Sequence, residues 1–412
     1  MKTLNLSYRF MTIALAGSMF MFTSCEKENT DEKPQDAVLE NGGTLPADIT
    51  SNIRLTKGNT YKLSGGTHVK SGATLFIEEG VTIESQYDET PDYILIEQGA
   101  KIDAQGTAEE PIIMTSTKKE TGSWGGIHIC GKAHTNIQSK TGKSEIGNAT
   151  YGGSEENDNS GTLRYIRLEY TGFALDAEHE SNGVTFYGVG NGTTVEYLQA
   201  YKGKDDGFEW FGGSVNVRNL VATSCGDDSF DWTEGWNGKA QFLVAYQEEG
   251  ASCDCLMECD SNGDNNALEP IAHPTISNIT LIGNNNSEKN NGLRLREGTE
   301  VTLYNAIITG KQNALRVESE GTLSSLQDGT SILEYVSISG KLHSEDESKY
   351  SDETFTAEGK NNLSEQTFSF TDKFTGTIEG GKNASEIDKF FENAQYRGAV
   401  PADDNWTKGW TL

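Results

Sequence analysis

Two short patterns recur along this chain at one shared spacing, and that spacing constrains the fold more than any other feature. The first has three apolar residues separated by spacers, one of them often Asn or Tyr. Its copies are Leu163-Arg-Tyr165-Ile166-Arg-Leu168, Val195-Glu-Tyr197-Leu198-Gln-Ala200, Val217-Arg-Asn219-Leu220-Val-Ala222, Ile276-Ser-Asn278-Ile279-Thr-Leu281, Leu303-Tyr-Asn305-Ala306-Ile-Ile308 and Leu333-Glu-Tyr335-Val336-Ser-Ile338. The second follows most copies: Asn or Asp, a small residue, then two apolar residues flanking one outward position. It reads Asn182-Gly183-Val184-Thr-Phe186, Asp206-Gly207-Phe208-Glu-Trp210, Asp228-Ser229-Phe230-Asp-Trp232, Asn291-Gly292-Leu293-Arg-Leu295 and Asn313-Ala314-Leu315-Arg-Val317. Val195 to Val217, Phe208 to Phe230 and Leu293 to Leu315 are each 22 residues.

Alternation over a few residues makes a strand with one face in and one out. A coil of three such strands with tight turns uses roughly 20–25 residues, so each coil stacks on the last and buries a continuous apolar interior. The expected fold is therefore all-β: a single-stranded, right-handed parallel β-helix. The Asn/Asp column falls where a turn is needed, since short polar side chains bond nearby backbone and tolerate left-handed geometry. The earlier segment agrees: Leu75, Ile77, Val81 and Ile83 alternate after Gly72, and Tyr93 to Ile102 repeats the theme around Gly99. Helix is expected only near Ser385 to Asn393. Polar stretches at 132–159 and 248–270 are too long for turns and read as insertions leaving the coil.

The division expected is 1–24 signal peptide, 25–44 flexible tether, 45–370 β-helix, and 371–412 a C-terminal segment capping the helix end. Lys2 and Arg9 precede the apolar stretch Met11 to Phe22, which ends at Thr23-Ser24-Cys25; this suits a cleaved export signal. The small residue before Cys25 resembles the lipobox of bacterial lipoproteins, which implies lipidation of Cys25 and anchoring in an outer membrane, at the cell surface of a Gram-negative bacterium. Glu26 to Pro34 is charged and without apolar periodicity, a tether by composition. The same acidic stretch resembles the surface-export signal of Bacteroidota lipoproteins.

The net charge of −29 argues against nucleic acid and against anionic membrane surfaces, and favours cations or neutral and basic partners. Beyond Cys25 the thiols are Cys130, Cys225, Cys253, Cys255 and Cys259. An odd number leaves at least one unpaired, and a disulfide with a leftover buried thiol is the expectation, because Cys253-x-Cys255-x₃-Cys259 does not match a zinc spacing.

Several stretches also resemble a known family. They are Thr67 to Glu84, Gly122-Ser-Trp124-Gly125-Gly126, Tyr151-Gly152-Gly153, Asp205-Asp206-Gly207-Phe208-Glu209-Trp210-Phe211-Gly212-Gly213, Asp227-Asp228-Ser229-Phe230-Asp231-Trp232, and Tyr396-Arg-Gly398-Ala399 with Trp406-Thr-Lys-Gly409-Trp410. The family is a group of right-handed β-helix lipoproteins common in Bacteroidota. The resemblance implies fold and export; it brings no activity and no catalytic residues.

The sharpest chemical feature is acidic. Asp205-Asp206 and Asp227-Asp228 are 22 residues apart and should stack on neighbouring coils, as should Glu209 and Asp231. Carboxylates about 5 Å apart repel, so they must be protonated, hydrogen-bonded or bridged by a cation. Three readings stand: a turn ladder capping backbone groups, a Ca²⁺ site, or a carboxylate pair for glycoside hydrolysis. Asp260-Ser-Asn262-Gly-Asp264 spaces oxygens like the start of a Ca²⁺ loop, although Asn265 and Ile271 depart from the Gly and Glu such a loop has; an irregular metal loop and a solvated turn both fit. Among the aromatics, Trp210 and Trp232 fall in inward slots, whereas Trp236 and Tyr187, with Glu209 and Asp231, are candidates for a ligand surface. Arg294 and Arg316 fall in the Glu209/Asp231 column, several coils away.

Pectin-cleaving hydrolases on this fold also use Asp pairs from adjacent coils, but their neighbouring His and basic pair have no counterpart in the sequence. The function expected is a surface binding or scaffold protein for a glycan or an outer-membrane protein partner, with Ca²⁺ in its acidic ridge. The alternative is a polysaccharide hydrolase or lyase acting through Asp205, Asp206, Asp227 and Asp228.

Overall fold

The computed structural model describes residues 36–88, 90–174 and 180–412. The expected signal and Cys25 lie outside them. The described chain winds into a parallel β-helix, with one 14-stranded and one 11-stranded parallel sheet running its length. In the shorter sheet the order is that of the chain, so each coil adds one strand: Val184–Tyr187 on Phe208–Phe211 on Phe230–Thr233 on Met257–Cys259 on Asn291–Leu295. The register pairs Phe208 with Phe230 and Trp210 with Trp232, so like stacks on like. Inside, Phe208 and Phe230 lie 5.6 Å apart and nearly parallel, and Phe186 stacks on Trp210 at 5.6 Å.

The Asn/Tyr spacer of the first pattern has a structural cause. Each eight-residue strand of the larger sheet bends at that residue, which adopts left-handed backbone geometry: Tyr197 at φ 57°, Asn219 at 56°, Asn278 at 58° and Asn305 at 61°. Pairing skips it, running Glu196↔Arg218 and then Leu198↔Leu220. One nominal strand is thus two short strands around a corner, which gives the coil its third face. Among residues with a side chain, Asn tolerates this geometry best. Phe242 occupies the same slot at φ 60°, in a coil whose strand Lys239–Tyr246 the sequence patterns did not single out.

Four expectations change. Residues 37 and 38 already pair with the next coil, Ala37 with Ile53, so the helix starts within the stretch read as tether. The 248–270 insertion contains a rung, Met257–Cys259, hidden because Cys255 and Leu256 stand where other coils have Asn or Asp and a small residue. Around 385–393 only one 3₁₀ turn forms, Ala384–Glu386. All five described thiols are free and buried, so the expected disulfide is not formed among the described residues.

The C-terminal segment also differs from expectation. Residues 371–412 lie along the outer face of the larger sheet instead of over the helix end. The bend residues hold them: Asn278 Nδ2 donates to Tyr396 O at 2.7 Å, and Asn305 donates to Lys382 O at 2.9 Å while its Oδ1 accepts from Lys382 N at 2.8 Å. Trp410, fully buried, meets Tyr165 and Tyr197 edge-on at 5.7 and 6.2 Å. The end of the coil is covered by Tyr350 and Phe355, both buried in the main core, around the short capped helix Asp352–Phe355.

Candidate functional site

On the outer face of the smaller sheet, the outward positions form a column running Thr185, Glu209, Asp231, Glu258, Arg294, Arg316. Beside it, at the turn entering each strand, stands a second column of Asn182, Asp206 and Asp228. Glu209, Asp231 and Glu258 of the first column and all three residues of the second, with Asp205, Asp227, Glu145 and Glu180, line a cavity of about 190 Å³. Nine carboxylates and one carboxamide thus enclose a volume well under the roughly 300–1,000 Å³ of an ordinary small-molecule pocket. At about 30 Å³ per water, it suits a hydrated ion.

The turn column is a ladder. Asn182 Oδ1 accepts Asp206 N–H at 3.2 Å, Asp206 Oδ1 accepts Asp228 N–H at 2.8 Å, and Asp228 Oδ1 accepts Cys255 N–H at 2.7 Å. Each side chain satisfies the buried donor of the coil above, and the two aspartates keep a second oxygen for the cavity. A structural ladder and a cation site therefore coexist. Asn182 Nδ2 also donates to Glu209.

Burial and crowding hold the acids of the cavity toward their protonated forms. Burial, then the nearby Glu180 and Asp227, push Asp205 up to about 8. Burial, reinforced by neighbouring carboxylates, holds Asp206, Glu209, Asp228 and Asp231 well above the usual carboxylate range. Upward along the axis the repulsion ends. Arg294 lies 2.8 Å from Glu258 and 2.9 Å from Glu318, and Arg296 lies 2.7 Å from Glu258 and 2.8 Å from Asp260. At the mouth Lys289 approaches Asp254 at 3.5 Å and Asp227 at 4.0 Å.

Some sequence candidates do not join the site. Trp236 is buried inside the coil, stacked on Trp210 at 4.7 Å with Nε1 donating to Val215 O; it offers no face to a ligand. Tyr187 points outward but is covered by Tyr151 and Phe211 at 5.1 and 4.8 Å. Its hydroxyl donates to Glu145 at 2.9 Å, so it positions an acid instead of stacking on a sugar. The Asp260–Asp264 stretch is a turn: Asp260 is held by Arg296, and Asn262 Oδ1 accepts the N–H groups of Asp264 and Asn265. The side-chain oxygens of Asp260 and Asn262 are thus engaged within the protein.

Glu145, Glu180 and Glu258 escaped sequence reasoning. Glu258 had a signal, the outward slot between inward Met257 and Cys259. Glu145 comes from the 132–159 insertion, and only the fold returns it to the coil.

Residues 47–411 match the family described as the pectate-lyase-like β-helix domain. The chain belongs to that family. The stacked parallel coils of the two long sheets are the framework that this family description implies. Searches of curated proteins and of solved structures gave no match.

Proposed function

We propose that this protein is an exported, lipid-anchored outer-membrane binding protein that holds Ca²⁺ in the acidic cavity and receives a glycan or protein partner there. The observation that carries the reading is the convergence of nine carboxylates on about 190 Å³. All-oxygen ligands of high negative charge suit a hard cation, and Ca²⁺ accepts six to eight oxygens in flexible geometry. A cation held on an outer face has coordination positions turned to solvent, which hydroxyls or a carboxylate of a glycan can fill. The family match supports a glycan as the partner class. The Cys25 motif and the resemblance to Bacteroidota lipoproteins support the anchor and the surface location.

The test is to melt the protein with Ca²⁺ and with EDTA, then to probe a glycan array and outer-membrane extracts under both conditions. Ca²⁺ raises the melting temperature, and ligand retention depends on it. An unchanged melting temperature removes the cation; no retention in either condition removes the binding role.

The family match favours a second reading, a polysaccharide lyase or hydrolase using Asp205, Asp206, Asp227 and Asp228. Against it, Arg294 and Arg296 are each engaged by two carboxylates. Burial lowers the pKa of Lys289, but Asp254 and Asp227 hold it above the usual lysine range, so it is a poor proton acceptor. Release of sugar ends, abolished by Asp228→Asn in a folded protein, would decide for the enzyme.

A further inference from the structure

The solenoid repeats its cation cage. On one coil and the next, Asp206, Glu209 and Asp231 bring one oxygen each within 4.8 Å of the others, and so do Asp228, Asp231 and Glu258. The register pairs Glu209 with Asp231 and Asp231 with Glu258, and Asp206 Oδ1 receives the N–H of Asp228. The second trio is therefore the first moved by one coil, with Asp231 belonging to both.

The repeat is closed at each end. One coil down, the equivalent positions are Asn182, Thr185 and Glu209, of which two are neutral. One coil up they are Cys255, Glu258 and Arg294, so an arginine stands where the third carboxylate would be.

Unsatisfied oxygens point into the same space. Asp231 Oδ1 is buried with no hydrogen-bond partner among the described residues. Asp206 and Asp228 are 6% and 5% exposed, and each gives one oxygen to the backbone ladder, leaving the other with no protein donor among the described residues. Buried carboxylate oxygens without donors are costly unless a cation serves them.

We propose that the cavity takes two divalent cations in adjacent cages, bridged by the carboxylate of Asp231; this rests on the Ca²⁺ reading above. The coil repeat of roughly 4.8 Å sets their separation, within the span of one bridging carboxylate. The cages are unequal. Glu258 already faces Arg294 and Arg296, so the upper cage has less negative charge left for a cation and binds more weakly than the Asp206–Glu209–Asp231 cage.

The test is calorimetric titration of Ca²⁺ into the full chain in detergent, after stripping with EDTA. Two equivalents bind in two steps, the tighter at least about tenfold stronger. Glu258→Gln removes the weak step and keeps the tight one; Glu209→Gln, which retains an acceptor for Asn182, removes the tight step and keeps a weak one. One or three equivalents, or both steps surviving in either variant, overturns the bridged pair while leaving the cation reading intact. No heat together with no change in melting temperature overturns both.

Discussion

Asp206 and Asp228, 22 residues apart in sequence, are joined by a hydrogen bond from the Asp228 N–H to Asp206 Oδ1 at 2.8 Å. That bond separates the two jobs of the carboxylate. Asp206→Asn keeps an acceptor for the ladder and removes the charge, so the metal-free variant should melt at least as high as the parent, yet gain little from Ca²⁺. Asp206→Ala leaves the buried N–H unpaired and should lose about 1–3 kcal/mol. Thermal melts of both variants with and without Ca²⁺ check the pair of outcomes.

The raised acids set a pH dependence for the metal-free protein. Asp205 stays protonated in the fold up to about 8 but ionises near 3.9 when unfolded. The folded state then binds more protons between those values, so stability falls as pH rises. It is full below about pH 4 and is lost progressively toward and through pH 8; Asp206, Glu209, Asp228 and Asp231 act in the same direction. Urea unfolding in EDTA should give a lower midpoint at pH 8 than at pH 5, and saturating Ca²⁺ should flatten the slope. Equal midpoints in EDTA would show the cavity acids already compensated.

Tyr187→Phe removes the hydroxyl that donates to Glu145 and keeps the ring packed between Tyr151 and Phe211. Stability should change by about 1 kcal/mol, while Ca²⁺ affinity shifts a few-fold because one of the contacts that orient Glu145 is lost. Calorimetry on the variant reads this; an unaltered affinity would mean Glu145 contributes nothing to the cavity's occupant.

Residues 371–412, which form a strap along the outer face of the larger sheet, carry a prediction of their own. Trp410 is fully buried against Tyr165 and Tyr197, so Trp410→Ala should cost about 3–5 kcal/mol if the strap and coil unfold together. A limited-proteolysis time course distinguishes this from local release: early cleavage confined to 371–412, with the coil intact, would show that the strap opens separately.

The sequence by itself determined the coil. A 22-residue period in two patterns carries information about stacking because, in a solenoid, distance along the axis is distance along the chain divided by the repeat. The acid pairs, the inward Trp210 and Trp232, and the Arg294/Arg316 column were legible for that reason. Only the tertiary structure decided what the period does not govern. Glu145 reaches the cavity through an insertion without a repeat, the Glu258 rung was masked by Cys255 and Leu256, and whether Tyr187 and Trp236 present a face depends on what packs over them. The position of residues 371–412 likewise follows from the left-handed corners at Asn278 and Asn305, whose freed side chains point out to hold a passing strand. Local pattern fixes the direction in which a side chain points; whether another part of the chain waits there is settled by contacts distant in sequence.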